Sequence, residues 1–96
     1  MQLRYKSGNQ EKTHSFHQEW AIPIVTIGRG QQCALIVDDA KLSRVHSAIR
    51  HIDGFYILRD MNSHNGTFLN DKKIEFARLR PGDEITAGDT TFNVEE

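Results

Sequence analysis

The chain of 96 residues has few of the features by which small proteins are cross-linked, anchored or targeted. Its one cysteine, Cys33, excludes an internal disulfide and is expected to be a half-buried side chain in a reducing, cytoplasmic setting. No apolar run approaches the ~20 residues of a membrane span, and the first residues lack a signal-peptide core. With 12 basic against 13 acidic residues, a basic excess is missing. Neither a membrane nor a nucleic-acid partner is therefore expected.

A helical period is also absent, and short strand-like runs between turn signals take its place. The dipeptide Asp53-Gly54 is typical of a two-residue type I′ hairpin, and tight turns are expected at residues 70–71 and 81–83. The expected strands are an N-terminal hairpin between Leu3 and Trp20, then Ile24–Ile27, Ala34–Val37, Val45–Ile52, Phe55–Asp60, Thr67–Leu69, Glu84–Ala87 and Thr90–Val94. The pattern predicts an all-β fold, an antiparallel β-sandwich of one domain over residues 1–96 with binding loops at one end.

Three polar segments at predicted strand ends share one chemistry. They are Gly28-Arg29, Leu42 to His46, and Ser63 to Thr67, and they combine guanidinium groups, hydroxyls, imidazoles, a carboxamide and glycines. A phosphate monoester carries about −1.5 to −2 charges at neutral pH and accepts hydrogen bonds from several directions. Arginine, serine and backbone amides can supply such donors. The segments therefore predict an anion-binding site.

The same segments carry a family resemblance, which extends over about residues 22–94. In order and spacing, the chain resembles forkhead-associated domains at Ile27-Gly28-Arg29, Asp38-Asp39, Ser43-Arg44-Val45-His46, Asp60, Ser63-His64-Asn65-Gly66-Thr67, Asn70, Leu79 to Ile85, Gly88 and Phe92. The resemblance implies a phosphothreonine-dependent recognition module whose partner is a phosphothreonine-containing protein or peptide. It implies neither a cofactor nor enzymatic activity.

The resemblance also implies roles for individual residues. By resemblance, Arg29 and Ser43 are the main phosphate donors, and Arg44 contacts the phosphate or the peptide backbone. The carboxamide of Asn65 pairs with the main chain of the ligand, and His64 occupies a variable position whose side-chain role stays open. Lys41 lies in a loop that selects residues after the phosphothreonine, where it would favour an acidic residue. The residues that support the loops are Gly28, His46, Gly66 and Thr67.

Two departures from the usual family pattern leave the principal phosphate donors in place, and the first alters only a tight turn. Asp71 follows Asn70 where glycine is common, and His64 replaces a more frequent small residue.

Other functions remain open from the residues themselves. A structural or assembly module could keep the fold and dock on an unmodified protein surface. Ser43 and His46 could be read as nucleophile and base, but no Gly-x-Ser-x-Gly elbow and no evident third partner accompany them, so no catalytic residue is expected. A metal site is not expected either, because His14 and His17 would point to opposite faces of a strand.

Overall fold

The short strands predicted above form two sheets in the computed structural model, which describes residues 1–16 and 24–96. Eleven strands occur in these residues: β1 (Gln2–Ser7), β2 (Gln10–Ser15), β3 (Ile24–Gly28), β4 (Leu35–Ile36), β5 (Ser47–Ile52), β6 (Phe55–Asp60), β7 (Thr67–Leu69), β8 (Lys72–Ile74), β9 (Phe76–Leu79), β10 (Glu84–Ala87) and β11 (Thr90–Glu95). In the same residues, no helix is long and apolar enough to cross a membrane. Trp20 and the end of the predicted N-terminal hairpin lie outside the described residues.

The two sheets have the strand orders β2-β1-β11-β10-β7-β8 and β4-β3-β5-β6-β9. The paired strands run antiparallel except β3 and β4, which are parallel. The predicted β-sandwich is thus confirmed. The predicted strand Ala34–Val37 is shorter than expected, because only Leu35 and Ile36 pair with β3, and Ile36 is 45% exposed instead of buried.

Strands β8 and β9 were missing from the sequence prediction. The short β8 forms a hairpin with β7, but Lys72 and Lys73 give its sequence no apolar alternation by which it could be predicted. The turn of that hairpin was expected, and Asn70 (φ 49°) and Asp71 (φ 70°) both adopt the positive φ of a type I′ turn. The predicted Asp53-Gly54 turn has the same geometry, with φ values of 51° and 82°.

The core lies between the inner faces of both sheets. Residues at alternate strand positions face inward, as the period of two residues requires, and side chains from β1, β3, β5, β6, β10 and β11 meet there. Its most deeply buried members include Leu3, Ile27, Ile49, Leu58, Ile85 and Phe92. The core therefore fixes both sheets relative to each other and leaves the connecting loops at the ends.

Gly28, the last residue of β3, lies against the backbone that leads into β5. The Gly30 amide donates to the Arg44 carbonyl at 3.0 Å, and the His46 amide donates to the Ile27 carbonyl at 2.8 Å. A Cβ atom added to Gly28 would lie 2.2 Å from the Arg44 carbonyl oxygen. No side-chain rotation can relieve an overlap with main-chain atoms. The close approach of the first two polar loops thus requires glycine.

We expect Gly28→Ala to lower the free energy of unfolding by more than ~2 kcal/mol, because the backbone must move to accept the Cβ atom. Gly54→Ala is the matched control: Gly54 has φ +82° and no atom within 4 Å of the added Cβ, so only a left-handed backbone penalty of ~1 kcal/mol applies. Urea denaturation followed by circular dichroism measures both losses. Equal losses would contradict the close-approach explanation.

Candidate functional site

Arg29 extends from the end of β3 across the second polar loop. Its Nε donates to the Leu42 carbonyl at 2.7 Å, and its backbone amide donates to the Ser43 carbonyl at 3.2 Å. The residue is exposed. Since a guanidinium group has five N–H donors, the bond to Leu42 orients the side chain and leaves the terminal Nη groups for an anion.

Ser43 lies where the second and third polar loops meet. Its Oγ accepts a hydrogen bond from the His64 amide at 3.0 Å, and its own amide donates to Nδ1 of His46 at 3.1 Å. The hydroxyl proton is not used in either contact, and the residue is only half-buried. The Ser43 hydroxyl can therefore donate outward while it remains fixed in place.

His46 is fully buried beneath these loops, with a relative exposure of 0%. Nδ1 accepts from the Ser43 amide, and Nε2 lies 2.8 Å from the Gly66 carbonyl oxygen. Because Nδ1 is an acceptor, the ring proton belongs on Nε2, which donates to Gly66. The imidazole thus links the second loop to the third. Neither ring nitrogen contacts the Ser43 hydroxyl, which removes the geometry of a nucleophile with its base.

Asp60 organises the third loop from the end of β6. Its carboxylate accepts hydrogen bonds from the Ser63 amide at 3.1 Å and from the Thr67 hydroxyl at 2.7 Å, and the Ser63 hydroxyl also donates to it. The Thr67 hydroxyl lies 2.8 Å from that of Ser47 on β5. Burial alone would raise the pKa of Asp60, but the bonds from Ser63 and Thr67 hold this pKa below its ordinary value.

Asn65 joins the third loop to the second from the solvent side. Its Nδ2 donates to the Lys41 carbonyl at 2.8 Å, and the residue is exposed. One amide N–H and the carboxamide oxygen remain for other partners. Gly66, which follows, has φ +87° and allows the backbone to turn into β7. The loop is therefore held at both of its faces, by His46 below and by Asn65 above.

Asp39 fastens the second loop to the turn between β10 and β11. Its carboxylate accepts from the amides of Lys41 (2.9 Å) and Asp89 (2.8 Å) and from the hydroxyl of Thr90 (2.7 Å). Burial acts to raise the pKa of Asp39, but these hydrogen bonds and the Lys41 charge lower that pKa overall. Lys41 also forms an exposed ion pair with Asp89, at 3.1 Å.

The sequence-predicted residues gather at one end of the sandwich. Arg29, Ser43 and Asn65 are tied to one another's loops by the bonds above. The side chains of Arg44 and His64 are exposed beside them, while the Arg44 carbonyl accepts from the thiol of Cys33 at 2.9 Å. Cys33 is buried rather than half-buried, with a relative exposure of 6%.

Several supporting residues were not assigned roles from the sequence. They are Asp39, Ser47, Asp60, Ser63 and Thr90. Ser47 and the Asp39–Thr90 pair join segments far apart in the chain, whereas Asp60 and Ser63 fix the third loop internally. A usable signal was the placement of Asp39 and Asp60 at strand ends, immediately before polar loops. Within residues 1–16 and 24–96, no group of three or more metal-ligating side chains is suitably placed for an ion. His17 lies outside these residues.

The lowered pKa of Asp60 makes the third loop sensitive to acid. The stabilisation is complete above the ordinary carboxyl pKa of 3.8 and is lost as the pH falls through the lower folded-state value. We expect the unfolding free energy of Asp60→Asn to fall less than that of the wild type between about pH 5 and pH 2. Asp53→Asn, in the exposed β5–β6 turn, is the control. Urea titrations along this pH range test the expectation, and identical profiles for the two variants would overturn it.

Part of the chain is similar in sequence to known proteins. An oxoglutarate dehydrogenase inhibitor from Corynebacterium diphtheriae is 35% identical over 66 residues, which are 69% of this chain and 46% of that protein. The chain thus spans about half the length of this curated relative.

Solved structures match nearly the whole chain. The FhaA FHA domain in complex with the intracellular domain of Rv3910 has a TM-score of 0.83 and 29% identity, covering 96% of each chain. A structure from work on phosphothreonine-dependent FHA domain interactions has a TM-score of 0.82 and 28% identity, covering 99% of this chain and 94% of that one.

The family model of the FHA domain matches residues 25–88. These residues include the three polar loops and the strands that hold them. The match confirms the resemblance found in the sequence: the chain belongs to the forkhead-associated (FHA) domain family.

Proposed function

We propose that the 96-residue chain is one recognition domain whose loops bind a phosphothreonine in a partner protein or peptide. The observation that carries the proposal is the convergence of the Arg29 guanidinium group and the Ser43 hydroxyl over loops that are braced from below. Arg29 is oriented by Leu42, and Ser43 by the His64 amide. Charge-assisted bonds of this kind favour a dianionic phosphate. A related structure concerns phosphothreonine-dependent interactions of an FHA domain, which supports the choice of phosphothreonine.

The remaining exposed residues fit the backbone around the phosphothreonine. Arg44 adds a second guanidinium group beside the site, and Asn65 keeps its carboxamide oxygen for a peptide amide. His64 contributes through its place in the third loop, and its side chain is exposed at the rim of the site. Gly28, His46, Gly66 and Thr67 hold the loops and do not contact the ligand.

The proposed affinity is moderate. About four charge-assisted hydrogen bonds at ~1.5–3 kcal/mol each contribute roughly 6–12 kcal/mol. Association costs at least ~4 kcal/mol, and ordering of the peptide costs more. With modest flanking contacts, the dissociation constant is on the order of micromolar. Such binding is reversible and depends on the phosphate.

The contacts of His46 fit a binding role for the site better than a catalytic role. Both nitrogens of His46 are committed to the backbone of the binding loops, so it cannot also accept a proton from the Ser43 hydroxyl. No cofactor enters the proposal, and neither nucleic acid nor membrane is its partner. The cytoplasmic, reducing setting expected from the sequence suits the free thiol of Cys33.

We further propose that Lys41 selects an acidic residue after the phosphothreonine. Its ammonium group lies beside the site but pairs with Asp89, and both side chains are more than 60% exposed. Exposed ion pairs are worth about 0–1 kcal/mol. An acidic peptide side chain can therefore displace Asp89 at little cost.

A titration with one peptide scaffold in phosphothreonine, phosphoserine and unmodified forms tests phosphate recognition. The peptide is chosen from a degenerate phosphothreonine library, and calorimetry measures the affinity. Arg29→Ala is expected to weaken the phosphothreonine complex at least ~10-fold, since it removes charge-assisted bonds.

The control for this titration is Arg80→Ala, an exposed arginine in the turn after β9 at the opposite end of the sandwich. It should leave the affinity unchanged. Binding of the unmodified peptide as tightly as the phosphorylated one would reject phosphate recognition and favour an assembly module that docks on unmodified protein.

Substitution at either side of the Lys41–Asp89 pair tests selectivity. On a phosphothreonine peptide array, Lys41→Ala should abolish enrichment of acidic residues, whereas Asp89→Asn should increase it because the ammonium group loses its internal partner. Lys72→Ala, exposed on β8, serves as the charge-matched control. An acidic preference that stays the same in all three variants would assign selectivity to other residues.

A further inference from the structure

A second surface with a distinct chemistry covers the outer face of the five-stranded sheet. Strand register places Ile24, Arg50, Ile57 and Arg78 in one row across β3, β5, β6 and β9. The neighbouring row consists of Thr26, Ala48, Arg59 and Phe76. Because partners in register lie on the same side of a sheet, arginine and apolar side chains alternate over this surface, which we call the arginine face.

Several apolar side chains on and beside the arginine face are open to solvent. Phe76 is 69% exposed, Ile24 43%, and Ile52 and Phe55 at its border 41% and 44%. Single exposed apolar residues are ordinary, but a contiguous group is typical of an interaction site. Aromatic residues and arginine are the types enriched at protein interfaces.

The arginines of this face have no acidic partners in the described part of the chain. Arg50, Arg59 and Arg78 take part in none of the ion pairs found there, and Arg78 instead lies 4.2 Å from the ring centre of Phe55. The outward positions of both rows contain no carboxylate. The face is therefore locally cationic, although the whole chain has a formal charge of −1.

From this we infer that the arginine face docks an acidic segment of a partner protein, one in which aspartate or glutamate alternates with aliphatic side chains. Carboxylates would pair with the guanidinium groups, which suit bidentate contacts, and the aliphatic groups would cover Ile57 and Phe76. Asp53 and Glu75 flank the face and are exposed, and Asp60 borders its depression. A shaped protein segment can avoid these carboxylates, whereas the continuous phosphates of a nucleic acid or an anionic membrane cannot.

The arginine face also continues toward the loop end of the molecule. Met61 and Asn62 directly follow β6, border the same depression as Arg59 and Phe76, and lead into the loop that contains Asn65. A partner held by its phosphothreonine could reach the face without leaving the loops, which would raise its effective concentration there. Docking on the face nevertheless does not require the phosphate site.

The test is an NMR titration of the isotopically labelled protein with a synthetic peptide of alternating glutamate and leucine, and with a peptide in which lysine replaces each glutamate. The expected result is chemical-shift change at Arg50, Ile57, Arg59 and Phe76 with the glutamate peptide, and at least ~10-fold weaker binding of the lysine peptide. Arg50→Glu/Arg59→Glu should reverse this preference. Arg50→Gln/Arg59→Gln should lose the glutamate peptide without gaining the lysine peptide.

Lys6→Glu/Lys12→Glu provides a matched charge reversal on the other sheet, where both lysines are exposed, and should preserve the glutamate preference. The Arg50→Glu/Arg59→Glu variant should also keep its affinity for a phosphothreonine peptide, which separates this surface from the loop site. Equal binding of both alternating peptides, shift changes confined to other surfaces, or binding only to phosphatidylglycerol vesicles or duplex DNA would overturn the inference.

Discussion

The candidate site depends on one buried imidazole that holds two loops by their backbones. His46 accepts from the Ser43 amide and donates to the Gly66 carbonyl, and only the tautomer protonated at Nε2 satisfies both. An apolar replacement would leave an amide and a carbonyl unpaired beneath the surface, each at about 1–3 kcal/mol. The exposed donors above are therefore positioned by an interaction that no ligand touches.

Half-buried acceptors hold the binding loops, whereas donors remain at the surface of the site. The carboxylates of Asp39 and Asp60 are half-buried and accept hydrogen bonds from loop amides and hydroxyls, which fix the loops and use part of the acceptor capacity of both carboxylates. The guanidinium groups of Arg29 and Arg44 and the hydroxyl of Ser43 remain at the surface. The cationic groups of the site are therefore exposed, although the chain has a formal charge of −1.

Local patterns predicted the sandwich and the composition of the site, whereas contacts between distant segments required the structure. The Asp53-Gly54 turn and most strands followed from dipeptides and alternation, which act within a few residues. Strand β8 was not predicted because Lys72 and Lys73 form no pattern of alternating apolar residues. The ion pair between Lys41 and Asp89 joins positions 48 residues apart, and the bond from Asn65 to the Lys41 carbonyl depends on how two loops fold against each other.

The position of β11 in its sheet affects how the protein folds during synthesis. In the six-stranded sheet, β11 lies between β1 and β10, so the hairpin formed by β1 and β2 has no hydrogen-bonded neighbour among the remaining strands until β11 is synthesised. Phe92 and Val94 of β11 then join the core. Contacts of such long range form slowly, and a nascent chain would expose the pairing edge of β1 until β11 emerges. Complete pairing of the six-stranded sheet must therefore wait until β11 has been synthesised.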